Sequence, residues 1–414
     1  MLGDLLAVSG AAEGLRSCIV DAYLDAFCAR LTDLGYRQST IRSKVWVVRR
    51  FARWMREEEV AVVDLDERCV DEFVEALRHG GRTCRGVRRT LLQWLELLRS
   101  ADVVATPEAV PDDSPAAVLL ARYVGYLRQE RALAESTIAA YQSFVRAFIA
   151  AHLDGGSTAL EGLRSGDVGD FLLTRVHRMA PKFAQYMATA LRSFLRFLFL
   201  RGETETDLSF AIPTVRQWRL STVPRHLPEE DVERLLRGCD TSSVTGRRNH
   251  AILLLLARLG LRACEIMALE LDDLRWREGE IIVRGKGKVR DRLPLLPEVG
   301  EALALYLRKD RPSCPSRCVF LCRRAPFRGF SHPSSVTTVV TRALARAGLA
   351  PPTRGAHLLR HSLATTMVRR GASRTEIGQV LRHRSPNTTE IYAKLDFDAL
   401  GDVALPWPTA GGGS

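Results

Sequence analysis

The stretch HLLRHSLATTMVRRG, residues 357–371, puts two histidines and an arginine within five positions and then continues as a helix pattern. On a helix, His357 and Arg360 stand at i and i+3 and share a face, and His361, at i+4 from His357, can share it too. A HxxxH pair is also a zinc pattern. Its metalloprotease form needs Glu directly after the first His, where this chain has Leu358. No carboxylate occurs anywhere in 357–371. A cationic His–Arg face without acids suits a phosphate better than a metal.

Charge points the same way. The 414 residues carry a net charge of +12. Residues 1–110 hold 16 basic and 17 acidic side chains, 111–213 hold 11 of each, and 214–414 hold 33 and 20. All the excess is therefore in the C-terminal half, and a basic domain of that size implies a polyanionic partner, most simply nucleic acid. The near-zero balance of 1–110 argues against strong nonspecific DNA binding by that region.

Length predicts two or three domains, and 46% hydrophobic content supplies their cores. The longest apolar run, AILLLLA at 251–257, is too short to cross a bilayer. The opening MLGDLLAVSGAAEG lacks a basic n-region, so no secretory signal is expected. Nine cysteines without such a signal read as reduced thiols in a cytoplasmic protein. Cys314, Cys318 and Cys322 are evenly spaced but lack a paired second half, so no zinc site is expected there.

The N-terminal half reads as helical. Ile41, Val45, Val48, Phe51, Ala52 and Met55 recur at helical spacing, as do Tyr141, Val145 and Phe148. It also contains a faint repeat. YRQSTIRSKVWVVRRF (36–51) resembles LAESTIAAYQSFVRAF (133–148) at an offset of 97. VDEFV (70–74) matches VGDFL (168–172) at 98, and LLQWLELL (91–98) matches LRSFLRFL (191–198) at 100. Small drift in constant order fits two copies of one helical module, at 1–105 and 115–212. Each copy is expected to cap a helix with its Ser-Thr pair. ATPEAVPDDSPAA (105–117) reads as a linker. A second boundary lies in 212–236, where Pro228 followed by Glu229, Glu230 and Asp231 is a helix opening.

Beyond it the pattern is mixed: a helix over 247–259, a hairpin over 279–296, a strand at CVFLC (318–322), and helices over 334–347, 358–370 and 373–381. The predicted fold is mainly α, with a small β-hairpin or sheet in the C-terminal domain (225–400) and a tail over 401–414.

Three more motifs join the opening stretch. In LGLRACEIMAL (259–269), Arg262 lies among apolar residues and needs a partner, which Glu265 can supply from three positions on. In RGKGKVRDR (284–292), Lys286 and Lys288 are two of only six lysines among 60 basic residues. Arginine keeps its proton near neutral pH, whereas a lysine with a lowered pKa can donate one. In LRHRSPNTTEIYAKL (381–395), Pro386 ends one helix, Asn387 can cap the next with Glu390 at the capping-box position, and Tyr392 falls in its first turns.

In this order LGLRACE, the GKGK hairpin, HLLRHSLATTM and LRHRSPNTTEIY resemble the tyrosine recombinase (phage integrase) family. The likeness is specific over 225–395, and 115–212 is similar to the family's helical core-binding domain. The resemblance implies that Arg262 and Arg360 are the catalytic arginines, Lys286 the hairpin lysine, His357 the first histidine, His383 the His/Trp position and Tyr392 the nucleophile. Glu265 holds the acidic position behind Arg262. There are departures: Arg382 stands where the family often has Gly, Leu358 where it has Asp or Lys, and a helical module where many members carry a β-rich arm-binding domain.

The family's activity implies site-specific DNA strand transfer through a 3′-phosphotyrosine, without metal or cofactor. It also implies double-stranded DNA and a homotetramer on two duplexes as the assembly, and no membrane. Phosphate chemistry makes His357 the candidate base and Lys286 the candidate acid, with Lys288 second. Arg216, Arg219, Arg225, Arg284, Arg290 and Arg382 are candidate DNA contacts. A type IB topoisomerase and a non-catalytic DNA-binding relative stay open as alternatives.

Overall fold

The computed structural model describes residues 19–81, 86–106, 112–153, 162–214, 224–285, 290–383, 385 and 388–395. The chain divides into two compact units, 107–221 and the remainder.

Among the described residues four helices come first: α1 (Ile19–Asp33), α2 (Gln38–Glu57), α3 (Glu67–His79) and α4 (Val87–Ser100). Each is amphipathic, so each buries one stripe. α2 contributes Ile41, Val48, Phe51, Ala52 and Met55, and α4 contributes Leu91, Trp94, Leu95 and Leu98. Trp94 is buried edge-on to Phe27, with ring centroids 5.2 Å apart. Asp66 caps α3 by accepting from the Cys69 N–H.

A second set follows: α5 (Pro115–Gln129), α6 (Glu135–Leu153), α7 (Ser165–Val176) and α8 (Pro181–Leu200). Its core is aromatic, built on Tyr123, Phe148, Phe194 and Phe197. The repeat read from the sequence falls on buried positions in both sets. Val48 and Val145, Phe51 and Phe148, Phe73 and Phe171, and Trp94 and Phe194 are all buried. The structure adds a correspondence that the sequence did not show. At an offset of 96, Leu24, Phe27 and Leu31 of α1 answer to Leu120, Tyr123 and Leu127 of α5, again all buried.

The Ser-Thr pairs, in contrast, are not caps. α2 begins at Gln38 after Arg37, and α6 begins at Glu135, so both pairs sit inside the first turn.

The C-terminal region opens with α9 (Glu229–Arg237), entered from Pro228 with three acids in its first turn. The central helix α10 (Val244–Arg258) is capped by Ser243 and buries Ile252 to Leu256 completely or nearly so. α11 (Ala263–Ala268) leads to a three-stranded antiparallel sheet of β1 (Leu274–Arg275), β2 (Glu280–Arg284) and β3 (Arg290–Pro294). The expected hairpin is β2–β3, with Ile281 opposite Leu293. The two-residue β1 was too short to signal itself. CVFLC makes isolated bridges, Glu270 with Cys318 and Leu321 with Gly329, and no strand of its own.

Helices α12 (Pro297–Lys309), α13 (Ser334–Arg346) and α14 (Ala356–Arg369) pack on α10. A short α15 (Arg374–Val380) precedes a 3-10 helix over Glu390–Leu395. That 3-10 helix replaces the α-helix expected around Tyr392, and Asn387, its expected cap, lies outside the described residues. One contact ties the first helical set to this region. The Phe327 N–H donates to the Leu34 carbonyl at 3.1 Å. The Phe327 ring also fills the space where a Cβ on Gly35 would lie, and Gly35 has a φ of +79°. No helix among the described residues is long and apolar enough to cross a membrane.

Trp94→Ala and Phe194→Ala should each cost about 3–5 kcal/mol. Hydrogen exchange locates the damage: Trp94→Ala is expected to speed exchange in α1–α4 and leave α5–α8 unchanged, and Phe194→Ala the reverse. Equal acceleration in both sets would show that the cores are not independent.

Candidate active site

The site begins at the turn after α10. Gly260 adopts a φ of +58°, and a Cβ there would lie 2.8 Å from Leu381 Cδ2, so both conformation and space call for glycine. The turn delivers Arg262 to the N-cap of α11. Arg262 and Glu265 therefore do not share a helix face as i and i+3 suggested. Glu265 Oε2 instead accepts the Arg262 backbone N–H at 2.8 Å, and its Oε1 accepts Nη1 at 2.6 Å. Glu265 is 2% exposed. Burial works to raise its pKa, but the hydrogen bond from the Arg262 backbone and the charges of Arg382 and Arg262 outweigh it and hold the group ionised below the usual carboxylate range.

Glu265 Oε2 also accepts from Arg382 Nη2 at 2.8 Å. The Arg382 side chain is only 6% exposed and turned inward. Arg382, a candidate DNA contact, thus has its guanidinium engaged inside the protein. Arg382 has a φ of +54°, which explains why glycine suits this position and marks a strained residue held by its ion pair.

Arg360, on α14, is 4% exposed. Its Nη1 donates to the Gly260 carbonyl and its Nη2 to the Leu381 carbonyl. Burial, then the neighbouring charges of Arg262 and Arg382, lower its pKa to about 10, which still leaves it charged at neutral pH. One helical turn back, His357 is exposed at the start of α14.

Tyr392 closes the group. It is 2% exposed, packed with Ala364, Ile377 and Leu381. Its hydroxyl lies 2.7 Å from His361 Nδ1. The His383 ring is parallel to the Tyr392 ring, with centroids 6.4 Å apart. His383 Nδ1 is 2.8 Å from Thr389 Oγ1. Burial pushes the phenol up to about 12, against the opposing charge of Arg360. Burial, then the charges of His357, Arg360 and His226, lower His361 to about 4. Burial, then Arg360 and Arg262, do the same to His383. At neutral pH His361 is therefore an uncharged acceptor, and the phenol donates to it. The sequence reading put His361 in the opening motif but gave it no role; the fold makes it the imidazole bonded to Tyr392.

Similarity to known proteins shows the family. A model of the phage integrase family matches residues 225–398, and one of the phage integrase N-terminal SAM-like domain matches 120–202. A Sinorhizobium fredii (strain NGR234) protein named "Putative integrase/recombinase y4rA" is 42% identical, over 94% of this chain and 95% of its own length. The tyrosine recombinase XerD of Listeria monocytogenes serotype 4b is 30% identical, over 69% of this chain and 96% of its own. The chain belongs to the phage integrase family of tyrosine recombinases. The fold of this recombinase is also that of XerH bound to its palindromic difH substrate, with TM-score 0.54 at 16% identity over 93% of each chain. A lambda integrase tetramer bound to a Holliday junction matches at TM-score 0.51 and 16% identity, over 71% of this recombinase and 88% of that chain.

The remaining candidates divide. Lys286, Lys288, Arg216 and Arg219 lie outside the described residues of the recombinase. Arg225 and Arg290 are exposed. Arg284 is held by Glu270 at 2.7 Å and Asp273 at 3.1 Å. Through these two carboxylates it braces the sheet.

The lowered pKa values give a pH dependence. A histidine whose folded pKa lies below its unfolded value stabilises the protein above the unfolded pKa, and that stability is lost as pH falls through the folded one. For His361 and His383 the window runs from about 6.5 down to about 4. The melting temperature should fall across it, and less steeply in His361→Gln. An identical pH slope in that variant would contradict the buried, neutral assignment.

Proposed function

We propose that this recombinase cuts and rejoins double-stranded DNA at a specific site, with Tyr392 as nucleophile and a Holliday junction joining two duplexes. The observation that carries this reading is the convergence of Arg262, Arg360, His383 and Tyr392 around the buried carboxylate of Glu265 and the first turns of α14.

A phosphodiester repels nucleophiles, and attack adds charge to its nonbridging oxygens. Arg262 and Arg360 neutralise that charge, with His357 and His383 as further donors. The Tyr392 oxygen forms a bond to phosphorus as the bond from phosphorus to the 5′ oxygen breaks. The leaving oxygen takes a proton from Lys286, or from Lys288. The 5′-hydroxyl of a partner strand then reverses the step, so bond energy is conserved and no cofactor is required.

The phenol proton needs an acceptor. His357 was the expected base, but His361 is the imidazole bonded to the phenol. Transfer from a group near 12 to one near 4 is strongly uphill, so the DNA-free site holds Tyr392 protonated. His361 is thus the resting partner of the phenol, and it takes the phenol proton as the oxygen attacks, once an incoming phosphate offsets the charges that depress the imidazole. His357, exposed at the head of α14, is left to meet the incoming phosphate.

The same reading assigns residues 225–400 to catalysis, 115–212 to core-site binding and 1–105 to a duplicate of that module. A homotetramer would act on two duplexes in the cytoplasm at the nucleoid, with the 401–414 tail docking on a neighbour. A nicking-closing enzyme is not favoured, since the similar proteins are integrases and recombinases.

Tyr392→Phe should abolish the covalent DNA adduct, seen as a denaturant-resistant protein–DNA band, and leave duplex affinity nearly unchanged. Arg262→Ala should slow single-turnover cleavage by about 10²–10³-fold. On a plasmid carrying two copies of the DNA trapped on Tyr392, wild type should give resolved or inverted products. Relaxation alone would identify a nicking-closing enzyme instead.

A further inference from the structure

The balance of 16 basic and 17 acidic side chains over 1–110 hides a strong polarity. α2 carries six of the basic residues, Arg42, Lys44, Arg49, Arg50, Arg53 and Arg56, and its one acid is the terminal Glu57. α3 carries four acids, Glu67, Asp71, Glu72 and Glu75, and two arginines.

Two of the acids of α3 pair with α4. Arg88 pairs with Asp71 and Arg99 with Glu67, both at 2.6 Å. Arg42, Arg53 and Arg56 are exposed, and among the described residues no carboxylate pairs with them. Trp46, on the same helix, is 59% exposed, with the Arg50 guanidinium 5.3 Å from its ring centroid. From Arg42 to Arg56 this face runs about 21 Å along the helix axis.

The second helical set is the internal control. At the offset of 97, α6 has Ala139, Ser143, Ala147 and Ala150 where α2 has Arg42, Trp46, Arg50 and Arg53. The two helices bury equivalent core residues, Ile41 with Ile138, Val48 with Val145 and Phe51 with Phe148. The two helices thus share these core positions, while Arg42, Trp46 and Arg53, which face outward, differ. Nothing in packing requires arginine at 42 or 53.

We propose that the exposed face of α2 is a second DNA-binding surface, which grips the phosphates of duplex DNA through Arg42, Arg53 and Arg56 with Trp46 and Arg50 beside them. An arginine face of this length can reach several phosphates of a duplex. A folded acidic protein face would have to supply a matching row of carboxylates. The inference rests on the reading of the chain as a DNA recombinase. It reverses the expectation drawn from the module's net charge, because binding depends on how charge is distributed over the surface and not on its sum.

The test uses the full chain and a fluorescein-labelled mixed-sequence duplex, with affinity followed by anisotropy across a salt series. Each phosphate contact contributes about 0.9 to the slope of log K against log salt. Arg42→Ala/Arg53→Ala/Arg56→Ala should flatten that slope by about 2–3 and weaken binding at low salt by about tenfold or more. The matching triple lysine variant should keep most of the affinity, and circular dichroism should show both variants folded. A folded alanine variant with the wild-type slope overturns this inference alone. A wild-type chain that fails to bind the duplex overturns it together with the recombinase reading. A variant that keeps duplex binding but changes self-association in sedimentation marks α2 as a protein interface, which also overturns it.

Discussion

One buried carboxylate holds the catalytic region together. Glu265 receives Arg262 through backbone and side chain, and Arg382 through its guanidinium, while Arg360 is close enough to feel its charge. A single acid cannot satisfy three guanidiniums. The carbonyls of Gly260, Leu381 and Arg382 take up part of the surplus donors. Three segments distant in sequence, the Gly260 turn, α14 and the turn after α15, are thereby fixed at one point. The cluster also keeps an excess of positive charge. Buried charge without a partner is costly, so a site built this way favours an anion that can complete it.

The same burial governs Tyr392. Apolar packing against α14 and α15 fixes the ring, yet it raises the phenol pKa and depresses those of both imidazoles beside it. Order and reactivity are opposed here. The surroundings that hold Tyr392 in place also hold its proton. A substrate phosphate beside Arg262 and Arg360 would offset the positive charge that depresses His361 and His383 and so make the imidazoles better proton acceptors. In the proposed mechanism this keeps the free protein from attacking stray phosphates.

Much of this architecture was legible because its signals are local. The 3.6-residue stripes of α2, α4, α6 and α8 can be read directly, and so can the Pro228 helix start and the β2–β3 hairpin. The readings that failed depend on contacts beyond the local window. Ser39-Thr40 and Ser136-Thr137 fit a capping pattern, but the helices begin one residue earlier and take the pairs into their first turns. Arg382 fits a phosphate contact until Glu265, 117 positions away, is seen to claim it. His361 carries no signal of its own, because its contact with Tyr392 spans 31 residues and requires α14 and the 3-10 helix to be packed together.

The sequence by itself determined the family, the helical class and the set of chemical groups, since periodicity, charge distribution and motif order are properties of the chain. Tertiary structure decided which of those groups are available. It engaged Arg284 and Arg382 in internal ion pairs, made His361 the partner of Tyr392, and left Arg42, Arg53 and Arg56 of α2 exposed while Arg88 and Arg99 of α4 were neutralised. The physical reason is that exposure, pairing and pKa are set by neighbours in space, which for these residues come from distant segments or other helices.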